Sequence, residues 1–249
     1  RDKGDEDFLS KHNLQPENWK AILKKTKQKL LTQRDKRIRP GLDDKIITAW
    51  NAMTVCGLAD AYCVFADQKF LDAALKNMQF IEKELVVGTQ LHRSFRGKRS
   101  ATRGFLDDYA YVIKAQLRLY QVTFDEHWIR RAVQFIQHTL EYFYDAAEGF
   151  FYYTSASAEA LITRKKEIFD NVIPSSNAIM AQNLHYAGTL LDKEEWKQIA
   201  QTMTNSLGHI IKSEPNYMSQ WAIVYTEINK GMREVLLTGN GIQALRTRL

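Results

Sequence analysis

Two copies of one acidic signature hold the residues most able to do chemistry. Arg39-Pro40-Gly41-Leu42-Asp43-Asp44-Lys45 is echoed by Arg103-Gly104-Phe105-Leu106-Asp107-Asp108-Tyr109. Each copy leads into an apolar run, at a period of roughly 64 residues. Paired carboxylates are the raw material of glycosidic catalysis, in which one carboxyl protonates the leaving oxygen and the other serves as base or nucleophile. An aspartate at a helix start also has an ordinary role: it accepts an unpaired main-chain N–H and complements the helix dipole. Capping needs one aspartate rather than two, so Asp43, Asp44, Asp107 and Asp108 are all catalytic candidates. The positive end of a helix lowers a carboxylate's pKa, which suits these groups to act as a base or to grip sugar hydroxyls. A general acid needs the opposite shift. Glu167, near Asp170, is the candidate for that role if its surroundings are dry, although Arg164, Lys165 and Lys166 work against it.

Further polar residues flank these signatures. His92 is a candidate proton carrier, with solvation its ordinary fate. Arg93 opens a stretch to Arg103 with five basic residues and no acid, able to grip a phosphate or uronate or to neutralise the aspartates. Trp50 and Tyr109 follow the Asp-Asp pairs and could stack on a sugar ring, although their apolar helices favour core packing. Arg164, Asn51, Ser175 and Asn177 complete the candidate ligand-binding set; a buried asparagine needs a partner, which can equally be protein. No Ser-His-Asp order, glycine-rich phosphate loop or metal-ligand spacing occurs, so neither cofactor nor metal is expected.

Helices must position these groups. With 12 Gly and 4 Pro in 249 residues, composition favours helix over sheet. The apolar periodicity predicts a helix from Pro16 to about Arg34, after a polar, frayed stretch over residues 1–15. Helices over about 44–65 and 106–120 are apolar on every face, which predicts burial on all sides, whereas those over about 68–85 and 126–144 carry a single apolar stripe. Between them lie a hairpin or loop over 86–98 and a two-stranded hairpin pairing 149–154 with 161–164. A third cycle opens at Asp170, with Ser-Ser-Asn in place of Asp-Asp; its buried helix ends near Leu191 and an amphipathic one covers 193–211. A fourth buried helix spans about 217–228, and Val235–Gly239 reads as the start of a strand. We therefore divide the chain into residues 1–234, one helical domain, and 235–249, the start of a further element.

Alternation of buried and half-wet helices implies two layers, an all-α toroid with parallel inner helices. The inner N-termini then meet at one mouth, rimmed by residues 35–43, 86–104, 146–173 and 212–217, where a ligand would bind. The formal charge of +6 gathers on the first long helix. Nine Lys or Arg and one acid lie between Lys20 and Arg39. That helix also carries an apolar face, so a solvated surface is the reading and nucleic acid is not expected as a partner. No apolar run approaches a membrane span. Cys56 and Cys63, seven apart on one helix, cannot form a disulfide; they read as buried thiols and weakly favour a cytoplasmic setting.

Four strings in order, Arg-Pro-Gly-Leu-Asp-Asp-Lys-Ile-Ile-Thr-Ala-Trp-Asn (39–51), Gly-Phe-Leu-Asp-Asp-Tyr-Ala (104–110), Arg-Lys-Lys-Glu (164–167) and Pro-Ser-Ser-Asn (174–177), carry a family resemblance. Nearly the whole chain resembles the C-terminal region of the spermatogenesis-associated protein 20 and YyaL-like family. The resemblance implies an α/α toroid of the six-hairpin glycosidase superfamily, here incomplete, with a thioredoxin-like domain preceding it in the family. Ala52 and Ser176 stand where the family usually has glycine. It also implies carbohydrate chemistry, a glycoside hydrolase or a sugar epimerase acting on a sugar or anionic sugar. Epimerases on similar toroids use histidines for proton transfer, which adds His92 to the candidates. The alternative is a non-catalytic toroid that binds glycan or protein beside the thioredoxin-like domain. Apolar flanks left open by missing helices would favour homo-oligomers.

Overall fold

One short turn, used twice, sets the helical hairpins. Helix α3 (Thr48–Phe65) ends on Ala66 in the left-handed region, φ 51°, and the Asp67 side chain accepts the Lys69 N–H to open α4 (Gln68–Phe80). Helix α5 (Leu106–Thr123) ends on Phe124 at φ 58°, and Asp125 accepts the His127 N–H to open α6 (Glu126–Tyr142). A left-handed residue followed by an aspartate cap stops one helix and starts the next within two positions. The third pair is α7 (Ser176–Leu190) and α8 (Glu194–Ser206). The short α9 (Gly208–Ser213) then leads to α10 (Ser219–Lys230).

The computed structural model describes residues 5–158, 163–233 and 235, in two compact units. The first, residues 1–44, contains α1 (Asp5–Lys11) and α2 (Pro16–Asp35). Residues 5–11 are thus helical rather than frayed. No residue of α2 is buried, in keeping with a solvated basic helix.

The second unit, from Lys45, is the α/α toroid segment. Inner helices α3, α5, α7 and α10 pack side by side in that order, with α4, α6 and α8 backing α3, α5 and α7. Helix α5 buries thirteen residues and α7 ten, close to the all-round burial expected, with a stripe through Lys114 and Arg118 on α5 and Gln182 and His185 on α7 left half-buried. Helix α3 corrects that expectation, burying five residues along one side: Thr48, Ala49, Ala52, Val55 and Ala59. The reason is position, since α5 lies between two inner neighbours whereas α3 packs principally on α4 and α5. Trp50 is accordingly 58% exposed instead of a core aromatic, and Cys63 is exposed rather than a buried thiol. Cys56 is half-buried, and burial pushes its thiol up to about 11.

Small hairpins gather before the inner helices. Strand β1 (Ile46–Ile47) pairs antiparallel with β4 (Ser94–Arg96), which pairs with β5 (Lys98–Arg99). Strands β2 (Val86–Val87) and β3 (Gln90–Leu91) make the expected small hairpin over 86–98. The hairpin placed at 149–164 lies earlier: β6 (Tyr144–Asp145) pairs with β7 (Phe150–Phe151), closed by Gly149 at φ 74°. Leu161 and Ile162 lie outside the described residues, as do residues 236–239 of the strand expected at 235–239.

Candidate functional site

The two Asp-Asp copies are not equivalent in the structure. In the second, Phe105 is the residue before α5, so Asp107 and Asp108 fall in its first turn. In the first, Ile46 and Ile47 are drawn into β1 and the helix begins at Thr48. Asp43 and Asp44 therefore sit in exposed non-helical chain of the first unit rather than in the first turn of a helix.

The first turn of α3 takes a cap from the neighbouring inner helix. Ala49 N–H donates to Asp108 Oδ1 at 2.9 Å, while Asp108 Oδ2 accepts the Phe105 N–H at 2.9 Å and Arg93 Nη1 at 3.0 Å. Arg93 Nη1 also donates to both oxygens of Asp107 at 2.8 Å. Burial, and then the Asp107 charge, push Asp108 up to about 7, against the pull of Arg93 and the Phe105 N–H. This reverses the lowering expected at a helix N-terminus, because the carboxyl is fully shielded from water. For Arg93, burial opposes its charge, but the two carboxylates outweigh it and raise its pKa.

Gly104 explains itself here. A Cβ at this position would lie 2.9 Å from Leu91 Cβ, and the Gly104 N–H donates to the Leu91 carbonyl at 2.7 Å. Close approach of two main chains sets the angle at which α5 starts. His92 serves the same junction, since its carbonyl accepts Thr48 Oγ1 at 2.6 Å. Its ring Nδ1 contacts the Ser100 carbonyl at 2.8 Å, and a carbonyl only accepts, so Nδ1 carries the proton.

Residues of the third cycle form a second network. Asn177 Oδ1 accepts the Phe151 N–H at 2.8 Å and its amide donates to the Phe151 and Glu167 carbonyls, so it pairs with β7 as a strand would. Ser175 Oγ donates to the Glu167 carbonyl and its N–H donates to Asp170 Oδ1. Asp170 Oδ2 accepts the Gln220 N–H at 2.8 Å and thereby caps α10. The Glu167 carboxylate, 38% exposed, pairs with Lys165 at 2.8 Å, so its surroundings are wet and cationic. Arg164 staples the hairpin through the Thr154 and Tyr142 carbonyls and covers the Tyr152 ring.

The Tyr109 hydroxyl accepts the Leu91 N–H at 3.0 Å. The residue is buried, stacks on His138 of α6 with ring centres 5.1 Å apart, and its hydroxyl meets His138 Nε2 at 3.1 Å. Asn51 donates to the Ile47 carbonyl one turn back. The structure thus brings Arg93, Asp107 and Asp108 together at one junction and Glu167, Ser175 and Asn177 at another, and sends Trp50 to the surface.

A cavity of about 450 Å³ is lined by residues of the inner helices α3, α5, α7 and α10. Asp60, Lys114, Arg118, Gln182, His185 and Glu227 are among its lining residues. Gln182 is its hub: Oε1 accepts Lys114 Nζ at 3.0 Å and Gln220 Nε2 at 3.1 Å, and Nε2 donates to the Glu227 carboxylate at 2.9 and 3.0 Å. Arg118 Nε pairs with Asp60 at 2.6 Å. No local motif announces these residues. Their signal was the presence of Lys114, Arg118, Gln182 and His185 inside otherwise apolar helices. Among the described residues no cluster of three metal-ligating side chains occurs, and no helix is long and apolar enough to cross a membrane.

No family model matches the chain. An uncharacterised protein of Caenorhabditis elegans is 27% identical over 95% of this chain and 33% of its own length. Rat spermatogenesis-associated protein 20 is 23% identical over 93% of this chain and 31% of its own. The human and mouse spermatogenesis-associated protein 20 proteins are each 22% identical over 93% of this chain. The chain spans about a third of the length of these curated relatives. Among solved structures, a GH76 α-mannanase of Bacteroides thetaiotaomicron superposes with a TM-score of 0.54 at 16% identity, covering 67% of this chain and 46% of that one. A cellobiose 2-epimerase from Bacillus thermoamylovorans gives 0.53 at 17%, covering 67% and 45%. These likenesses show an α/α-toroid fold over about two thirds of this chain.

Proposed function

We propose that this chain forms part of the wall of a carbohydrate-binding toroid, with the sugar seated in the concave cavity. The observation that carries this reading is the cavity lining: amides, carboxylates, cations and the Tyr186 ring converge from four inner helices. Sugars are gripped by such convergent polar groups in a concave site. The toroid fold shared with a mannanase and an epimerase supports the same class of ligand.

Asp107 and Asp108 hold the mouth together in this reading, because Arg93 and main-chain N–H groups take up their oxygens. A second reading, glycoside hydrolysis or epimerisation at the mouth, is favoured by the fold and by the closeness of these two carboxyls. It requires Arg93 to release Asp107 so that one carboxyl can exchange protons with substrate. The test is a thermal-shift and saturation-transfer NMR screen of neutral sugars, uronic acids and sugar phosphates. Binding of a sugar that survives Asp107→Asn supports the cavity. Turnover of a glycoside that Asp107→Asn abolishes, with the fold retained, supports the mouth. Absence of any sugar signal from folded protein contradicts both.

A further inference from the structure

The cavity's charges balance in pairs, and one pair stands open. Asp60 and Arg118 neutralise each other at 2.6 Å. Lys114 and Glu227 do not touch; among the described residues neither has an ion-pair partner, and Gln182 stands between them, bonded to both. An ammonium has three donors, and Gln182 takes one of Lys114's. A carboxylate has about four acceptor positions, and the Gln182 amide reaches each Glu227 oxygen once. Each group therefore keeps capacity on the cavity it lines.

We propose that this pair recognises a neutral sugar through two vicinal hydroxyls, one donating to the Glu227 carboxylate and the other accepting from the Lys114 ammonium. The inference rests on the carbohydrate reading above and names its substrate class. Gln182 is the positioning residue. Its Oε1 faces two donors, Lys114 and Gln220, and its amide nitrogen faces a carboxylate, so its orientation is fixed and it holds acid and cation one amide apart. A diol fits this spacing because adjacent hydroxyls offer one donor and one acceptor side by side. An anionic sugar fits less well, since the attraction of Lys114 is opposed by Glu227 in the same partly desolvated space. His185, on the same wall, adds no cation: burial lowers its pKa, with Glu227 pulling up and Lys197 pulling down.

The test is titration calorimetry on the whole chain with methyl glycosides of neutral hexoses, the matching uronic acids, and monodeoxy analogues of whichever hexose binds. Wild type, Lys114→Met and Glu227→Gln are compared, with circular dichroism confirming the fold. A hydrogen bond to a charged group corresponds to an affinity loss of roughly ten- to a hundredfold for each variant. The same loss is expected for wild type with a deoxy analogue lacking either hydroxyl, a readout that needs no variant to fold. Neutral sugar bound equally by wild type and both variants overturns the proposal while leaving the carbohydrate reading standing. A uronic acid that outbinds its neutral parent on wild type, and loses that advantage in Lys114→Met, overturns it in favour of an anionic ligand. Failure of every sugar to bind the folded wild type overturns the carbohydrate reading and this proposal together.

Discussion

Asp108, in the first turn of α5, accepts the main-chain N–H of Ala49 on the neighbouring inner helix at 2.9 Å. One carboxylate thus caps α3, reaches back to the Phe105 N–H of its own helix, and holds Arg93. Two inner helices share a cap, which makes Asp108 a structural keystone of the mouth.

Replacing it should be costly. Asp108→Asn turns an amide NH₂ toward donors and leaves Arg93 half-buried beside one carboxylate, an expected loss of about 3 kcal/mol or more. Asp44→Asn, at an exposed position outside any helix, should change stability by about 0.5 kcal/mol or less. Urea unfolding of the two variants measures the contrast, and equal losses would contradict the inequivalence of the two motifs.

Gly104→Ala should also destabilise. The added methyl meets the buried Leu91 side chain at 2.9 Å and the Asp108 Cβ at 3.4 Å, and overpacking of this kind costs about 1–3 kcal/mol. A melting temperature at or above that of wild type would show that the junction gives way freely.

His138 predicts a pH dependence. Burial lowers its pKa, with Glu141 working in the opposite sense. A group whose folded pKa is depressed below an unfolded value of about 6.5 contributes stability present above that value and lost as pH falls beneath it. The His138 contribution should therefore be lost between about pH 7 and pH 5, with His185 adding to that loss, while Asp108, pushed up to about 7, contributes in the opposite sense over the same window. The difference in stability between wild type and His138→Gln isolates the ring and should shrink as pH falls from about 7 to about 5; a constant difference in urea titrations would count against the half-buried neutral ring.

Gln116 is fully buried, and neither atom of its amide has a partner among the described residues. Gln116→Met keeps the volume and removes the unsatisfied groups, so we expect a gain of about 1–3 kcal/mol in urea unfolding. A loss of stability would reveal an unseen partner for the amide.

The layers of the toroid were legible because burial writes a period into the chain. Helices α5 and α7 are buried on most faces and α6 on one. The equivalence of Asp44 and Asp108 was a false lesson of the same periodicity. The strings match, but whether a helix starts at the aspartate depends on Ile46 and Ile47 pairing with Ser94 and Phe95, residues far along the chain. Trp50 misled similarly, since its neighbours in sequence are apolar while its neighbours in space are few. Lys114, Gln182 and Glu227 come from three different helices and share no local pattern. Only packing brings them together.

That a sugar seats among those three residues, and not at the mouth, is tested most directly by an assigned amide NMR spectrum recorded with and without a neutral hexose glycoside. We expect shifts centred on Lys114, Gln182 and Glu227, with the signals of Arg93, Asp107 and Asp108 unmoved. Shifts confined to Arg93, Asp107, Asp108 and Glu167 would contradict the cavity and return the ligand to the mouth.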